Sequence, residues 1–166
     1  MKQTKWFDRQ FPIIQDNGLL PAIIERLEGT GARLISKVQR IDFTPVNPIN
    51  DRWSIKKEIG HLLDLESLWL ERTIQIINGV PNLVAADLTN KKTNEANHDE
   101  SIVTDLVAEF AESRQRFIEL LRQLKDEDLQ KASIHPRLGT PMKIVDLAYF
   151  VAEHDDHHLA RITFLS

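Results

Sequence analysis

Three histidines have the residue type and the spacing expected of a metal site. His154 and His158 lie four residues apart near the C-terminal end of the chain. On a helix, side chains at this spacing lie on one face, a single turn apart. A third histidine, His61, lies far upstream in a segment with helical apolar spacing. If the fold brings the two segments together, three neutral imidazoles can bind one divalent metal ion.

Helical phase separates this pair from the other histidines. At about 100° per residue, His158 falls about 40° and His154 about 80° from the centre of the apolar stripe of the last segment. His157 falls about 140° from the same centre, which predicts a solvent-facing side chain. We therefore select His154 and His158 as ligands. His98 and His135 lie in predicted loops, where we expect solvated or structural roles.

Three imidazole ligands predict a catalytic rather than a structural metal. They leave one open position on a tetrahedral zinc ion, whereas structural zinc sites are usually closed by four protein ligands. Nitrogen ligands are compatible with Zn, Ni or Fe, and the ligand type alone does not choose among these metals. An open position can activate water or a thiol. The alternative is a closed site in which His135 or Glu58 supplies the fourth ligand.

Carboxylates near the histidines are candidate catalytic groups. Glu58 lies one turn before His61, and Asp155 follows His154 directly. Either carboxylate can act as a general base or orient a ligand imidazole. Asp155 falls about 20° from the centre of the apolar stripe, where an unpaired carboxylate is costly. Either it has a buried partner, such as the N–H of a ligand imidazole, or the assigned helical phase is off by one position. Glu66 raises the same question.

Composition excludes several functional classes. The 166 residues suit one globular domain, with 42% hydrophobic and 28% charged residues. A net charge of −4 gives no electrostatic support for nucleic-acid binding or for docking on an anionic membrane. Cysteine is absent, so disulfides, thiolate ligands and a cysteine nucleophile are excluded. The first residues contain no apolar core of a signal peptide, and we expect a cytoplasmic protein.

Apolar spacing predicts four long helices and no strand. The helices cover approximately residues 19–41, 54–78, 101–124 and 140–164. Ser54 is the expected N-cap of the second helix, and Thr140 followed by Pro141 that of the last. Residues 80–98 form a long polar connection, which favours a crossover within a four-helix bundle.

Two stretches and one loop resemble the DinB/YfiT-like superfamily. Residues 53–62, with the sequence WSIKKEIGHL, resemble its second-helix signature. Residues 153–162, with the sequence EHDDHHLARI, resemble its last-helix signature, and residues 135–139 resemble the loop before it in YfiT-type members. The order and the spacing agree over nearly the whole chain.

The resemblance implies an all-α four-helix bundle of up-down-down-up topology, formed by a single domain over residues 1–166 and often dimeric. It also implies a divalent metal held by His61, His154 and His158. Relatives transfer low-molecular-weight thiols such as bacillithiol, isomerise maleylpyruvate with mycothiol, or are described as metal-dependent hydrolases. We therefore expect a metal-dependent hydrolase or thiol S-transferase that acts on a small molecule. The alternative is a non-catalytic homodimeric module that binds a metal or a small ligand.

Overall fold

The protein is described by a computed structural model over residues 3–41, 43 and 53–166. Within these ranges the chain forms five α-helices: α1 (Leu20–Val38), α2 (Ile55–Ile77), the short α3 (Lys91–Glu95), α4 (Val103–Arg122) and α5 (Ile144–Leu165). Two short strands, β1 (Ala132–Ile134) and β2 (Pro141–Lys143), pair in antiparallel order. None of the described helices is both long enough and apolar enough to cross a bilayer.

The four long helices form the predicted bundle of up-down-down-up topology. Helices α1 and α2 each pack mainly against α4 and α5. Since α2 and α4 run in the same direction, the chain must return along the bundle between them. The connection after α2 makes that return, and it carries α3 against α2. The prediction of a crossover in this region is therefore confirmed.

The ends of α2 lie where the sequence predicts them. The side chain of Ser54 accepts a hydrogen bond from the backbone N–H of Lys57 at 3.1 Å, as an N-cap does. After α2, Gly79 adopts a φ of +67°, a left-handed conformation that glycine reaches without steric cost. A strong cap and a glycine terminator thus fix both helix ends locally.

The predicted start of α5 is wrong. Thr140 and Pro141 do not begin the helix, because residues 141–143 pair with residues 132–134 as strand β2. The helix begins at Ile144, where the Asp146 carboxylate accepts the backbone N–H of Lys143 at 2.9 Å. Three-residue strands are too short to show an alternating pattern, so the sequence offered no signal for this hairpin.

A buried ion cluster lies inside the bundle. The guanidinium of Arg114 bonds Glu66 at 2.6 Å and Asp155 at 2.5 Å, and Thr30 donates to Asp155 at 2.8 Å. Phe110 packs on the Arg114 guanidinium at 4.8 Å. Buried carboxylates require partners of this kind, because an unpaired buried charge is strongly destabilising.

The segment before α1 packs across α5. Trp6 contacts Phe150 and His154 edge to face, with centroid distances of 5.0 Å each. The backbone N–H of Ile14 donates to Asp146 at 2.7 Å, and the amide of Gln3 donates to the ring and the carbonyl oxygen of His157. The N-terminal segment therefore covers one face of α5.

Candidate metal centre

The structure brings His61, His154 and His158 together. One nitrogen from each ring lies within 4.8 Å of the nitrogens of the other two. The Nε2 atoms of His154 and His158 are 3.1 Å apart, and the centroid of His61 lies 4.8 Å from that of His158. All three side chains are buried. Helices α2 and α5 thus bring the upstream histidine to the i, i+4 pair, as the sequence analysis predicted.

Burial keeps these imidazoles neutral. Desolvation lowers the pKa of His61 to about 4, against a partly compensating attraction from Glu58. Desolvation also lowers the pKa values of His154 and His158 well below 6.5, and the mutual repulsion of the clustered rings adds to this effect. Since a metal binds the unprotonated imidazole, the cluster is in its ligating state at neutral pH.

Glu58 orients His158. Its Oε2 atom lies 2.6 Å from Nδ1 of His158, and its Oε1 atom accepts from Nε of Arg161 at 2.6 Å. Burial raises the pKa of the Glu58 carboxyl, whereas Arg161 opposes this effect. As a carboxylate paired with Arg161, Glu58 accepts the Nδ1 proton of His158, which leaves the lone pair of Nε2 directed toward His154.

A second chain of hydrogen bonds orients His61. Its Nδ1 atom lies 3.1 Å from Oγ1 of Thr93, whose hydroxyl donates to Oδ2 of Asp64 at 2.7 Å. The same Asp64 oxygen lies 3.0 Å from Nε2 of His98. Because a carboxylate only accepts, Thr93 must accept the proton of His61 Nδ1. The lone pair of His61 is therefore on Nε2.

Packing beside this chain is tight at Gly60. A Cβ atom placed on Gly60 would lie 2.3 Å from Cγ of His98, which is too close for two non-bonded carbon atoms. His98 therefore occupies the space that a side chain at position 60 would fill. The residue next to His61 is a glycine because the imidazole of His98 packs directly on the backbone of α2.

The donor set fits a divalent metal. Since Nε2 of His158 carries a lone pair, the facing Nε2 of His154 must either donate to it or present a second lone pair. Nδ1 of His154 has no hydrogen-bond partner among the described residues. Two nitrogens bound to one tetrahedral zinc ion are about 3.3 Å apart, close to the 3.1 Å observed here. A cation between the rings satisfies both lone pairs.

The cluster lies on the wall of a cavity of about 660 Å³. Aromatic side chains form much of the wall: Trp6, Phe7, Trp53, Trp69 and Phe150. His61, His154 and His158 all line the cavity, as do His135 and Arg137 on another side. A small molecule in this space therefore reaches the three imidazoles and an aromatic surface at the same time.

The two candidate carboxylates occupy different places. Glu58 touches a ligand histidine but does not line the cavity, so its position suits the orienting role. Asp155 does not contact the three imidazoles, because its oxygens are engaged by Arg114 and Thr30 in the core. Glu66 belongs to the same ion cluster. The structure therefore places Asp155 in the core ion cluster and not against the three imidazoles, a position that does not favour a role as base.

The remaining histidines are buried rather than solvated. His157 is only 8% exposed, against the prediction of a solvent-facing ring, because the N-terminal segment covers it through Gln3. His98 and His135 are also buried. His98 bonds Asp64, and His135 lies against Arg72. Of the two roles predicted for His98 and His135, solvated or structural, their burial and contacts favour the structural one.

Sequence reasoning missed the residues that orient His61. Asp64 lies three residues after His61, so the two share a helix face, and this spacing was a usable signal. Thr93 lies in the return connection, where no periodicity indicates which side chain faces α2. Trp53, whose centroid lies 4.7 Å from that of His61, was likewise read only as the start of a helix.

Comparisons with known proteins agree with this fold. The model of the DinB superfamily matches residues 27–162. The solved structure of YfiT from Bacillus subtilis is similar to this chain over 95% of its length and 91% of YfiT, with 21% sequence identity and a TM-score of 0.79. YfiT is described as a probable metal-dependent hydrolase with an unusual four-helix bundle topology. At this identity, the likeness shows the fold alone. No curated protein matches the chain.

Proposed function

The chain belongs to the DinB superfamily, and we propose that it is a metal-dependent enzyme that acts on a small molecule by hydrolysis or thiol S-transfer. One observation carries the proposal: three buried, neutral imidazoles converge on the wall of a cavity large enough for a small organic ligand. The description of YfiT as a probable metal-dependent hydrolase supports the same direction.

His61, His154 and His158 would hold the metal. A divalent cation held there supplies Lewis acidity, which lowers the pKa of a water or thiol that it binds. Glu58 and Thr93 keep the protons of two ligand rings on Nδ1, so that both Nε2 lone pairs remain available. The absence of cysteine means that a thiol nucleophile, if one is used, comes from a cosubstrate.

The cavity wall suits substrate binding. Trp53 packs on His61, and Trp6 and Trp69 contact His154. These rings displace water from one side of the imidazoles and offer an apolar surface to the substrate. Exclusion of water strengthens electrostatic interactions inside the site.

A closed structural site receives less support. The candidates for a fourth protein ligand are engaged elsewhere: Nδ1 of His135 accepts backbone N–H groups, its Nε2 faces Arg72, and both oxygens of Glu58 have partners. Among the described residues, the metal-binding group consists of the three histidines alone. Open coordination positions distinguish catalytic from structural zinc sites.

The first test is metal content and its dependence on the cluster. Wild-type protein incubated with zinc, nickel or iron should retain one ion per chain by elemental analysis. His158→Ala should lose most metal affinity while circular dichroism still reports a helical bundle. His157→Gln is the matched control, since it changes a neighbouring buried histidine outside the cluster and should keep its metal.

The second test separates the two chemistries. Metal-loaded protein is assayed with small esters and amides, and with an aryl halide in the presence and absence of a low-molecular-weight thiol. Turnover that requires the metal and water alone supports hydrolysis, whereas turnover that requires the thiol supports S-transfer. Failure of the wild-type protein to bind metal, or full metal content in His158→Ala, would overturn the proposal.

A further inference from the structure

One corner of the cavity carries unneutralised positive charge. We call Arg72, His135 and Arg137 the basic corner; all three line the cavity. Lys5 and Arg161 line it as well, whereas Asp87 is the one carboxylate among the described lining residues. Arg161 is paired with Glu58, so the positive charge of the described wall comes mainly from Arg72, Arg137 and Lys5, in a chain whose net charge is −4.

Arg137 has unused hydrogen-bonding capacity. Its Nη2 atom is buried and has no hydrogen-bond partner among the described residues. Its guanidinium lies instead against aromatic rings, 5.4 Å from the centroid of Phe7, 5.8 Å from Phe150 and 5.9 Å from Trp6. A buried donor without an acceptor is costly, and each one in a folded protein requires an explanation, such as a bound water, an ion or a functional role.

The contact between Nε2 of His135 and Nη1 of Arg72 has no acceptor among the described residues. Nδ1 of His135 accepts the backbone N–H groups of Arg137 and Leu138 at 3.2 Å each, which places the ring proton on Nε2. That Nε2–H faces Nη1 of Arg72 at 3.1 Å, and a guanidinium nitrogen only donates. The opposite tautomer would direct Nδ1–H at two backbone N–H groups. With either tautomer of His135, N–H donors therefore point at one another instead of at an acceptor.

Arg72 also has no salt bridge to a carboxylate in the part of the chain that the structure describes. Its Nε and Nη2 atoms donate to the carbonyl oxygen of Val84 at 3.1 and 2.9 Å, and its side chain is 2% exposed. Burial lowers the pKa of Arg72 to about 10, and repulsion from Arg137 contributes. The Arg72 guanidinium therefore remains charged at neutral pH, with Glu71 as an attractive charge nearby but no salt bridge to it among the described residues.

The basic corner is joined to the imidazoles by aromatic rings. Trp69 contacts the Arg72 guanidinium at 5.7 Å and the His154 ring at 5.7 Å. Trp6 similarly lies against both Arg137 and His154. One ligand of small-molecule size can therefore contact the corner, the aromatic rings and the histidine cluster together.

We infer that the basic corner binds the carboxylate of the substrate, whose apolar body lies along Trp6, Trp69 and Phe150 toward the three imidazoles. The inference rests on the proposed function, because it assigns a substrate class to the same cavity. A carboxylate supplies the missing acceptor to Nη2 of Arg137 and to the facing donors of His135 and Arg72. Guanidinium groups match the planar carboxylate geometrically, which favours this anion.

The test compares hydrocinnamate with its uncharged amide, hydrocinnamamide. Both ligands are titrated into the full chain by calorimetry and by tryptophan fluorescence, once after removal of metal with a chelator and once after zinc loading. Hydrocinnamate should bind more tightly than the amide in both states, because the corner requires no metal. Persistence in the metal-free protein separates this site from direct ligation of zinc by the carboxylate.

Variants assign the effect to the corner. Arg137→Gln should weaken hydrocinnamate binding by about 10- to 100-fold, the value of a hydrogen bond to a charged group, and leave the amide nearly unchanged. Arg116→Gln is the matched control, because Arg116 is exposed and pairs with Glu112 on α4. The comparison of acid with amide on the wild-type protein stands even if Arg137→Gln does not fold.

Three results would overturn the inference: equal affinity for acid and amide, wild-type affinity in Arg137→Gln, or acid binding that appears only with zinc. Zinc binding is measured separately on the same samples. A wild-type protein that binds hydrocinnamate through Arg137 but holds no metal would overturn the proposed enzyme and leave the carboxylate site standing. A protein that binds metal and ignores the acid would do the reverse.

Discussion

Oε2 of Glu58 lies 2.6 Å from Nδ1 of His158, and this contact joins α2 to α5 beside the candidate metal centre. The contact explains how a fully buried glutamate is tolerated, since Arg161 and His158 share its two oxygens. Of the two roles that the sequence suggested for Glu58, this contact favours the orienting one. The carboxylate acts on a ligand ring of the partner helix, where it determines which nitrogen carries the proton.

Glu58→Gln should weaken zinc binding by about 10- to 100-fold, because outer-sphere carboxylates raise the basicity of ligand histidines. Competition with a chromophoric chelator measures the affinity. Glu112→Gln is the control, because Glu112 is exposed and distant from the cluster. Equal zinc affinity in Glu58→Gln and wild type would mean that the carboxylate only neutralises Arg161.

Thr93→Val should also lower zinc affinity by about 10- to 100-fold, because the isosteric side chain cannot accept the proton of His61 Nδ1. Thr93→Ser retains the hydroxyl and should bind zinc as the wild type does. The same competition assay compares the two variants. If the valine variant keeps wild-type affinity, the tautomer of His61 does not depend on this hydrogen bond.

Gly60→Ala should destabilise the protein by about 1–3 kcal/mol, because its Cβ overlaps the ring of His98. Gly29→Ala, also within a helix, meets no atom within 4 Å and should stabilise α1 by up to about 1 kcal/mol. Urea unfolding of both variants measures the difference. A neutral Gly60→Ala would show that His98 moves aside at little cost.

Arg114→Met should cost about 3–5 kcal/mol of unfolding free energy, because Glu66 and Asp155 lose their buried cation. Replacement of both carboxylates by leucine in the same variant should restore much of that loss. Arg116→Met, at an exposed position of α4, serves as the control. A loss below about 1 kcal/mol for Arg114→Met would contradict the view that these charges depend on each other.

Acid should destabilise the metal-free protein through His135. Burial, followed by the charges of Arg72 and Arg137, lowers the pKa of this imidazole to about 4. Between about pH 6.5 and pH 4 the unfolded chain binds a proton at His135, whereas the folded protein does not. The neutral ring of His135 therefore contributes fully to the free energy of unfolding above about pH 6.5. About 2 kcal/mol of that contribution is lost by pH 5.

His135→Asn tests the assignment, because the Asn oxygen can still accept the backbone N–H of Arg137 and does not titrate. The free energy of unfolding, measured in urea at neutral and acidic pH, should decrease less on acidification in this variant than in the wild type. Other buried histidines titrate in both proteins, so the difference between the slopes isolates position 135. Identical slopes would show that His135 is protonated equally in the folded and unfolded states.

Features that depend on residues close in sequence were predicted correctly. The burial of a side chain by a distant segment was not. Helix α2 could be delimited because Ser54 and Gly79 act within one turn of its ends. The three histidines could be selected because phase along a helix is a local property. His157 was misplaced because its burial depends on Gln3, which lies at the far end of the chain. Pro141 was misread because its pairing with Ile134 forms a hairpin of three-residue strands, which are too short to show an alternating pattern.

The contact between Gln3 and His157 has a practical consequence for purification. Gln3 also lines the cavity, so a peptide fused ahead of the chain is attached within a few residues of the cavity wall. A polyhistidine tag at that end would supply extra imidazoles close to His154 and His158. It would raise the measured metal content and obstruct access of substrate to the cavity. Affinity handles for this protein therefore belong at Ser166, or must be cleaved before any metal is counted.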